Sequence, residues 1–158
     1  MIRKDYSINK EKVTQTLTTE IEADRKTVFK YLATTEGISA WFPQLTLSKE
    51  DDEQLVLFDM GDGTYEKMAL LDYKTDEHIS YEWATGKVAF TLEDNEGGTL
   101  LTLKEELPSD FPAIPEDFTG WYVQMLNVKS VAETGEVATL DRETIQRVKE
   151  DIRSTLNQ

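Results

Sequence analysis

With 158 residues, no cysteine and a net charge of −14, the chain is long enough to bury one core and is strongly acidic. The missing cysteines exclude disulfides, thiolate metal sites and cysteine nucleophiles. The 17 basic residues are scattered and form no stripe, which argues against nucleic acid and anionic membrane as partners. No run approaches the ~18 apolar residues of a membrane span. The first residues, Met1-Ile2-Arg3-Lys4-Asp5-Tyr6, lack the apolar core of a signal peptide. A cytoplasmic location is the expectation.

The first predicted element is a half-buried strand over Val13–Glu22. Val13, Leu17 and Ile21 share one face, with Thr14, Thr16, Thr18 and Glu20 on the other. Asp24 can then cap a helix whose apolar side is Val28, Phe29 and Leu32. Thr34-Thr35-Glu36-Gly37 breaks it, and Ile38, Trp41 and Phe42 predict a second short helical turn stopped by Pro43.

From Gln44 to Leu107 the period is two, and six strands are predicted. Leu45 and Leu47 open the series, the acidic run Glu50-Asp51-Asp52-Glu53 reads as a solvated turn, and Leu55 and Leu57 with their alternates Val56 and Phe58 form the next strand. Gly61-Asp62-Gly63 is a hairpin signal, because glycine reaches the positive φ of tight turns. Further strands follow over Tyr65–Tyr73, over Ile79–Trp83, around Val88, Phe90 and Leu92, and around Leu101 and Leu103. Pro108, Pro112 and Pro115 lead into a long helix, Phe118 to Ala132. Its Phe118, Trp121, Tyr122, Met125, Val128 and Ala132 recur at three- and four-residue steps. Gly135 suits its C-terminal cap. After it, Leu140 and Ile145 are spaced as a hydrophobic staple, and Ile145, Val148, Ile152 and Leu156 mark a terminal amphipathic helix. That helix either docks on the body or forms a dimer contact.

The expected class is α+β in a single domain spanning residues 1–158, with its core at about 13–135 and its terminal helix at about 141–156. One curved antiparallel sheet wraps around the long helix, with two short helices after the first strand. Sheet and helix separating at one end would leave a pocket for a mostly apolar guest.

This order and three local motifs resemble the START-like (SRPBCC) helix-grip superfamily, in its branch related to the activator of heat-shock-protein-90 ATPase. The motifs are Ile21-Glu22-Ala23-Asp24 through Val28-Phe29, Leu32, Thr35-Glu36 and Trp41-Phe42; Asp72-Tyr73 through Trp83; and Gly120-Trp121 in the long helix. Where that family tends to have a proline before the tryptophan strand, this chain has Lys74-Thr75-Asp76-Glu77. The resemblance implies a fold more than an activity, one that hosts carriers, cyclases and hydrolases alike, and members of the branch are described as stress-related or as binders of hydrophobic molecules.

It also implies positions for a site. Trp41 and Phe42 fall at the cavity mouth of that fold, where they either touch a guest or pin the short helix. Tyr81, Trp83 and Phe90 fall on strands that line its cavity, as lining or as plain core. Phe118, Trp121, Tyr122 and Met125 are the helix's own candidates, since aromatic rings and a flexible thioether suit a planar apolar guest.

Glu105 is the polar candidate. Counting by twos from Leu101 and Leu103 puts its carboxylate on the apolar side. Buried without a cation, it could act as an acid, a base or an orienting acceptor. A slip or bulge would instead expose it and turn Glu106 inward. His78, the one histidine, reads as an exposed turn residue.

No metal site, cofactor or catalytic residue is expected. The leading function is non-enzymatic binding of a small hydrophobic molecule by a monomer or weak dimer. The alternatives are a co-chaperone-like module with a protein partner, and a cyclase or hydrolase using Glu105.

Overall fold

Residues 2–157 are described by a computed structural model. Two strands open the chain, β1 (Arg3–Ile8) and β2 (Lys12–Ile21), followed by helices α1 (Arg25–Ala33) and α2 (Thr35–Ser39). Then come β3 (Leu45–Glu50), β4 (Glu53–Asp59), β5 (Tyr65–Lys74), β6 (His78–Trp83), β7 (Gly86–Asn95) and β8 (Gly98–Pro108). Helices α3 (Ile114–Thr134) and α4 (Arg142–Leu156) complete the fold.

The strands form one antiparallel sheet in the order β1-β2-β8-β7-β6-β5-β4-β3. The class is α+β, a curved sheet gripping α3. The six central strands match the period-two reading, but the two short helices follow the second strand, not the first. The unforeseen strand is β1. Its sequence, Arg3-Lys4-Asp5-Tyr6-Ser7-Ile8, has no apolar alternation to reveal it. Backbone pairing with β2 makes it a strand, in register from Arg3↔Thr18 to Ile8↔Val13.

Local chemistry sets the helix ends. Asp24 accepts the Thr27 N–H at 2.8 Å, and Asp141 accepts that of Thr144 at 2.7 Å. The second short helix begins at Thr35, earlier than expected. Thr34 caps it by accepting the Gly37 N–H at 2.9 Å, and Trp41 and Phe42 lie beyond its end. Helix α3 runs longer than Phe118–Ala132 at both ends. Pro115 sits inside its first turn, where a missing N–H breaks no hydrogen bond. Gly135 ends it in the left-handed region at φ 83°.

The registers carry one apolar face across the sheet. Leu17, Leu103, Phe90 and Ile79 follow one another from β2 to β6, each less than 2% exposed. Helix α3 covers this face with Trp121, Met125 and Val128. A second, smaller cluster joins Ile152 and Leu156 of α4 to Val13, Leu107, Ile114 and Phe118. The terminal helix is thus docked on the body, and Lys4 pairs with Asp151 at 2.8 Å on its outer side. No helix among the described residues is long and apolar enough to cross a membrane.

Candidate functional site

The space between sheet and α3 is occupied by the protein's own side chains. Tyr81, Phe90, Phe118 and Met125 are at most 1% exposed. Around them the aromatics interlock edge to face. Trp83 lies 4.9 Å from Trp121 between ring centroids, Phe42 lies 5.8 Å from Trp121, and Phe58 lies 5.7 Å from Trp83. These separations fall in the favourable range for aromatic pairs. Trp41 joins the cluster at 6.5 Å from Trp121 and donates its indole N–H to the Tyr31 carbonyl at 2.8 Å.

Open space begins where this cluster reaches the surface. A cleft of 160 Å³ is walled by Phe42, Trp83, Asp117, Gly120 and Trp121. Beside it, one of 190 Å³ is walled by Phe58, Met68, Trp83, Phe111 and Asp117. Trp83 and Asp117 form the wall common to both. Gly120 borders the first one, and a Cβ there would meet no atom within 4 Å. Glycine inside a helix costs about 1 kcal/mol relative to alanine, and no close packing at this position requires it. A separate groove of 420 Å³ lies between the end of α1 and strands β3 to β6, lined by Ala33, Leu47, Leu70, Tyr73 and Ile79.

Behind the common wall runs a chain of polar groups. The Tyr6 hydroxyl donates to Gln15 Oε1 at 2.9 Å. Gln15 Nε2 donates to the Phe118 carbonyl at 3.1 Å and, more weakly, to Glu105 Oε1 at 3.5 Å. Glu105 is fully buried, with the Asp117 carboxyl as its acidic neighbour. Asp117 Oδ1 in turn accepts the Trp83 indole N–H at 3.1 Å.

Each carboxyl therefore has one bonded oxygen and one left over. Glu105 Oε2, Asp117 Oδ2 and Trp121 Nε1 make up three of the four buried side-chain polar atoms without a partner among the described residues. Burial pushes the Glu105 carboxyl well above the usual carboxylate range. The hydrogen bond to Asp117 and its negative charge push the same way, against the weaker opposing bond from Gln15.

The structure divides the predicted residues. Phe42, Trp83 and Trp121 reach the clefts. Trp41, Tyr81, Phe90, Phe118 and Met125 lie behind them in packed core. Tyr122 is half-buried at the edge, with the Lys4 ammonium 5.5 Å from its ring centre. Glu105 points inward, in unbroken register with Gln15 and Val88, so no slip turns Glu106 in. His78 opens β6, half-buried, with Asp72 at 3.3 Å.

Three participants escaped the sequence reading: Asp117, Gln15 and Tyr6. Two had signals. Asp117 precedes Trp121 by four residues and Met125 by eight, on one helical stripe. Gln15 lies two residues from both Val13 and Leu17, on their face of the strand. Tyr6 had none, because its strand had none.

A family described as Activator of Hsp90 ATPase homolog 1-like protein matches residues 22–133. The chain belongs to this family. The matched span contains the aromatic cluster, Glu105 and Asp117, while Tyr6, Gln15 and α4 lie outside it. No curated protein matches the chain.

Among solved structures, EF2215 from Enterococcus faecalis, a conserved protein of unknown function, is 24% identical over 98% of this chain and 91% of its own, with a TM-score of 0.87. CalU16 from Micromonospora echinospora is 13% identical over 98% and 95%, with a TM-score of 0.71. A protomer of the Aha1 dimer from Colwellia psychrerythraea is 16% identical over 77% and 97%, with a TM-score of 0.62. At these identities the likeness is one of fold.

Proposed function

We propose that the protein binds a small, largely apolar molecule at the Trp83 end of the grip, without a chemical step. The guest sits against the Trp83–Asp117 wall, and the Asp117 carboxyl receives its polar group. The observation that carries this reading is Asp117 Oδ2, a buried oxygen without a partner on a residue that walls two aromatic clefts. Apolar walls with a few convergent polar atoms are the usual make-up of a small-molecule site. At 160 and 190 Å³ the clefts are smaller than the ~300 Å³ at which drug-sized sites begin. The guest is therefore about one ring in size, unless Trp83 swings away.

Gly120 supplies the test. Gly120→Leu fills the first cleft with no clash at its Cβ and favours the helix by about 1 kcal/mol. In a small-molecule screen read by NMR, guests should shift the Trp83 and Trp121 indole signals and the amides of residues 116–125. The leucine variant should lose those shifts while melting no lower than the parent. Shifts confined to Ala33, Leu47 and Tyr73 would move the site to the other groove and overturn this assignment.

A further inference from the structure

We infer that the guest of this site is a lipophilic amine: a one-ring apolar body carrying a protonated nitrogen that Asp117 receives. This rests on the proposed binding role and adds the ligand's charge to it. The first ground is the sign of the lining. The charged residues walling the two clefts are Glu116, Asp117 and Glu66, and no lysine or arginine lines either one. Arg153 engages Glu116, whereas Glu66 has no ion pair among the described residues. The remaining charge at the mouth is negative, on a chain of net charge −14.

The second ground is the set of leftover atoms. Asp117 Oδ2 is a buried acceptor without a partner on the wall common to both clefts, and Glu105 stands fully buried behind it. An ammonium brings three donors and one positive charge, and so answers both that atom and the negative lining. A carboxylate would set its anion against Asp117 and Glu66. A neutral alcohol would supply one donor and leave the charge uncompensated.

The walls then choose among cations. Phe42, Phe58, Trp83 and Trp121 line the clefts, and aromatic rings attract organic cations and offer a metal ion no ligand. Among the described residues no group of three metal-binding side chains comes together. The Trp121 indole N–H is the single leftover donor here, and an oxygen on the guest's body would satisfy it without disturbing the ammonium.

A matched series tests the assignment on the full chain: 2-phenylethylamine, 2-phenylethanol and 3-phenylpropionate, titrated calorimetrically at pH 7. The amine should bind at least tenfold more tightly than the alcohol, and the acid should show no heat of binding. Asp117→Asn keeps the acceptor for the Trp83 N–H and should weaken the amine about tenfold, with the alcohol unchanged. Glu66→Gln, on an exposed residue with no folding risk, should weaken the amine two- to threefold.

An acid or alcohol binding as tightly as the amine overturns the inference and leaves the binding role standing. So does an amine affinity indifferent to both substitutions. Silence from all three probes, with the Trp83 and Trp121 signals unmoved at millimolar concentration, removes the binding role itself.

Discussion

Glu105 and Glu106 are consecutive residues of the same type on the same strand, and the fold treats them as opposites. Glu105 faces α3, has no exposed surface and has one oxygen without a partner. Glu106 faces outward, with Lys87 at 3.2 Å, Lys12 at 3.3 Å and Lys104 at 3.6 Å. Burial and a neighbouring acid hold the first carboxyl well above the usual range. Partial burial alone would raise the second as well, but the hydrogen bonds and charges of Lys87 and Lys12 outweigh it and bring it down. A strand alternates faces with every residue. One peptide unit is therefore enough to turn a solvated ion pair into a buried acid. Residue type sets what a side chain can do, and the face it lands on sets which of those things it does.

The contrast can be broken most forcefully through the neighbours. Leu103→Ala, on Glu105's face, should cost about 2–5 kcal/mol, because it opens a cavity in packed core. Lys104→Ala, on Glu106's face, should stay within about 0.5 kcal/mol. Chemical denaturation of the two variants measures this, and similar costs would mean that the two faces do not differ as described.

Next in size is the pH dependence. Glu105's folded pKa lies above its unfolded value, so between the two the native state binds more protons than the unfolded chain. Stability should therefore fall as pH rises from 4.5, the ordinary value for a glutamate, towards the folded pKa. The slope is at most about 1.4 kcal/mol for each pH unit crossed. Glu105→Gln keeps a donor for Asp117 and an acceptor for Gln15 and has no proton to lose. Urea melts from pH 5 to 8 should show the parent losing stability relative to this variant. Parallel curves would mean that Glu105 ionises freely in the native state.

The smallest effect belongs to Glu106. Its folded pKa is lowered, so its contribution is present above pH 4.5 and is lost as pH falls through the folded value. Glu106→Gln should cost about 0.5–1 kcal/mol at pH 7, less at high salt, and almost nothing at pH 3. Denaturation at 0.05 and 1 M salt sharpens this arm. A loss unaffected by salt would assign Glu106 a packing role in place of an electrostatic one.

Much of this was legible in the chain. The period-two run from Leu45 to Leu107 and the turns at Gly61–Gly63 and Gly97–Gly98 define strands that the sheet indeed contains. The stripe on α3 is helical because its apolar residues recur at three and four. Counting from Leu101 and Leu103 aimed Glu105 inward, and the register agrees.

What could not be read were features owed to partners distant in sequence. Strand β1 exists because β2 offers it a backbone ladder. Gln15 becomes a buried donor because β2 pairs with β8, placing it beside a residue 90 positions away. Asp117 reads as an ordinary acidic residue in a helix's first turn until the sheet brings Trp83 and Glu105 to it.

The sequence alone determined the class of each central element and the face on which each side chain lies, because those follow from local periods of two and 3.6 residues. Tertiary structure decided how much space remained inside. Packing depends on the summed volumes of side chains from many elements, and no local period reports that sum. Trp41, Phe90, Trp121 and Met125 fill the space between the apolar face and its covering helix. The same assembly set the buried Glu105 behind Asp117, the acid that walls both clefts.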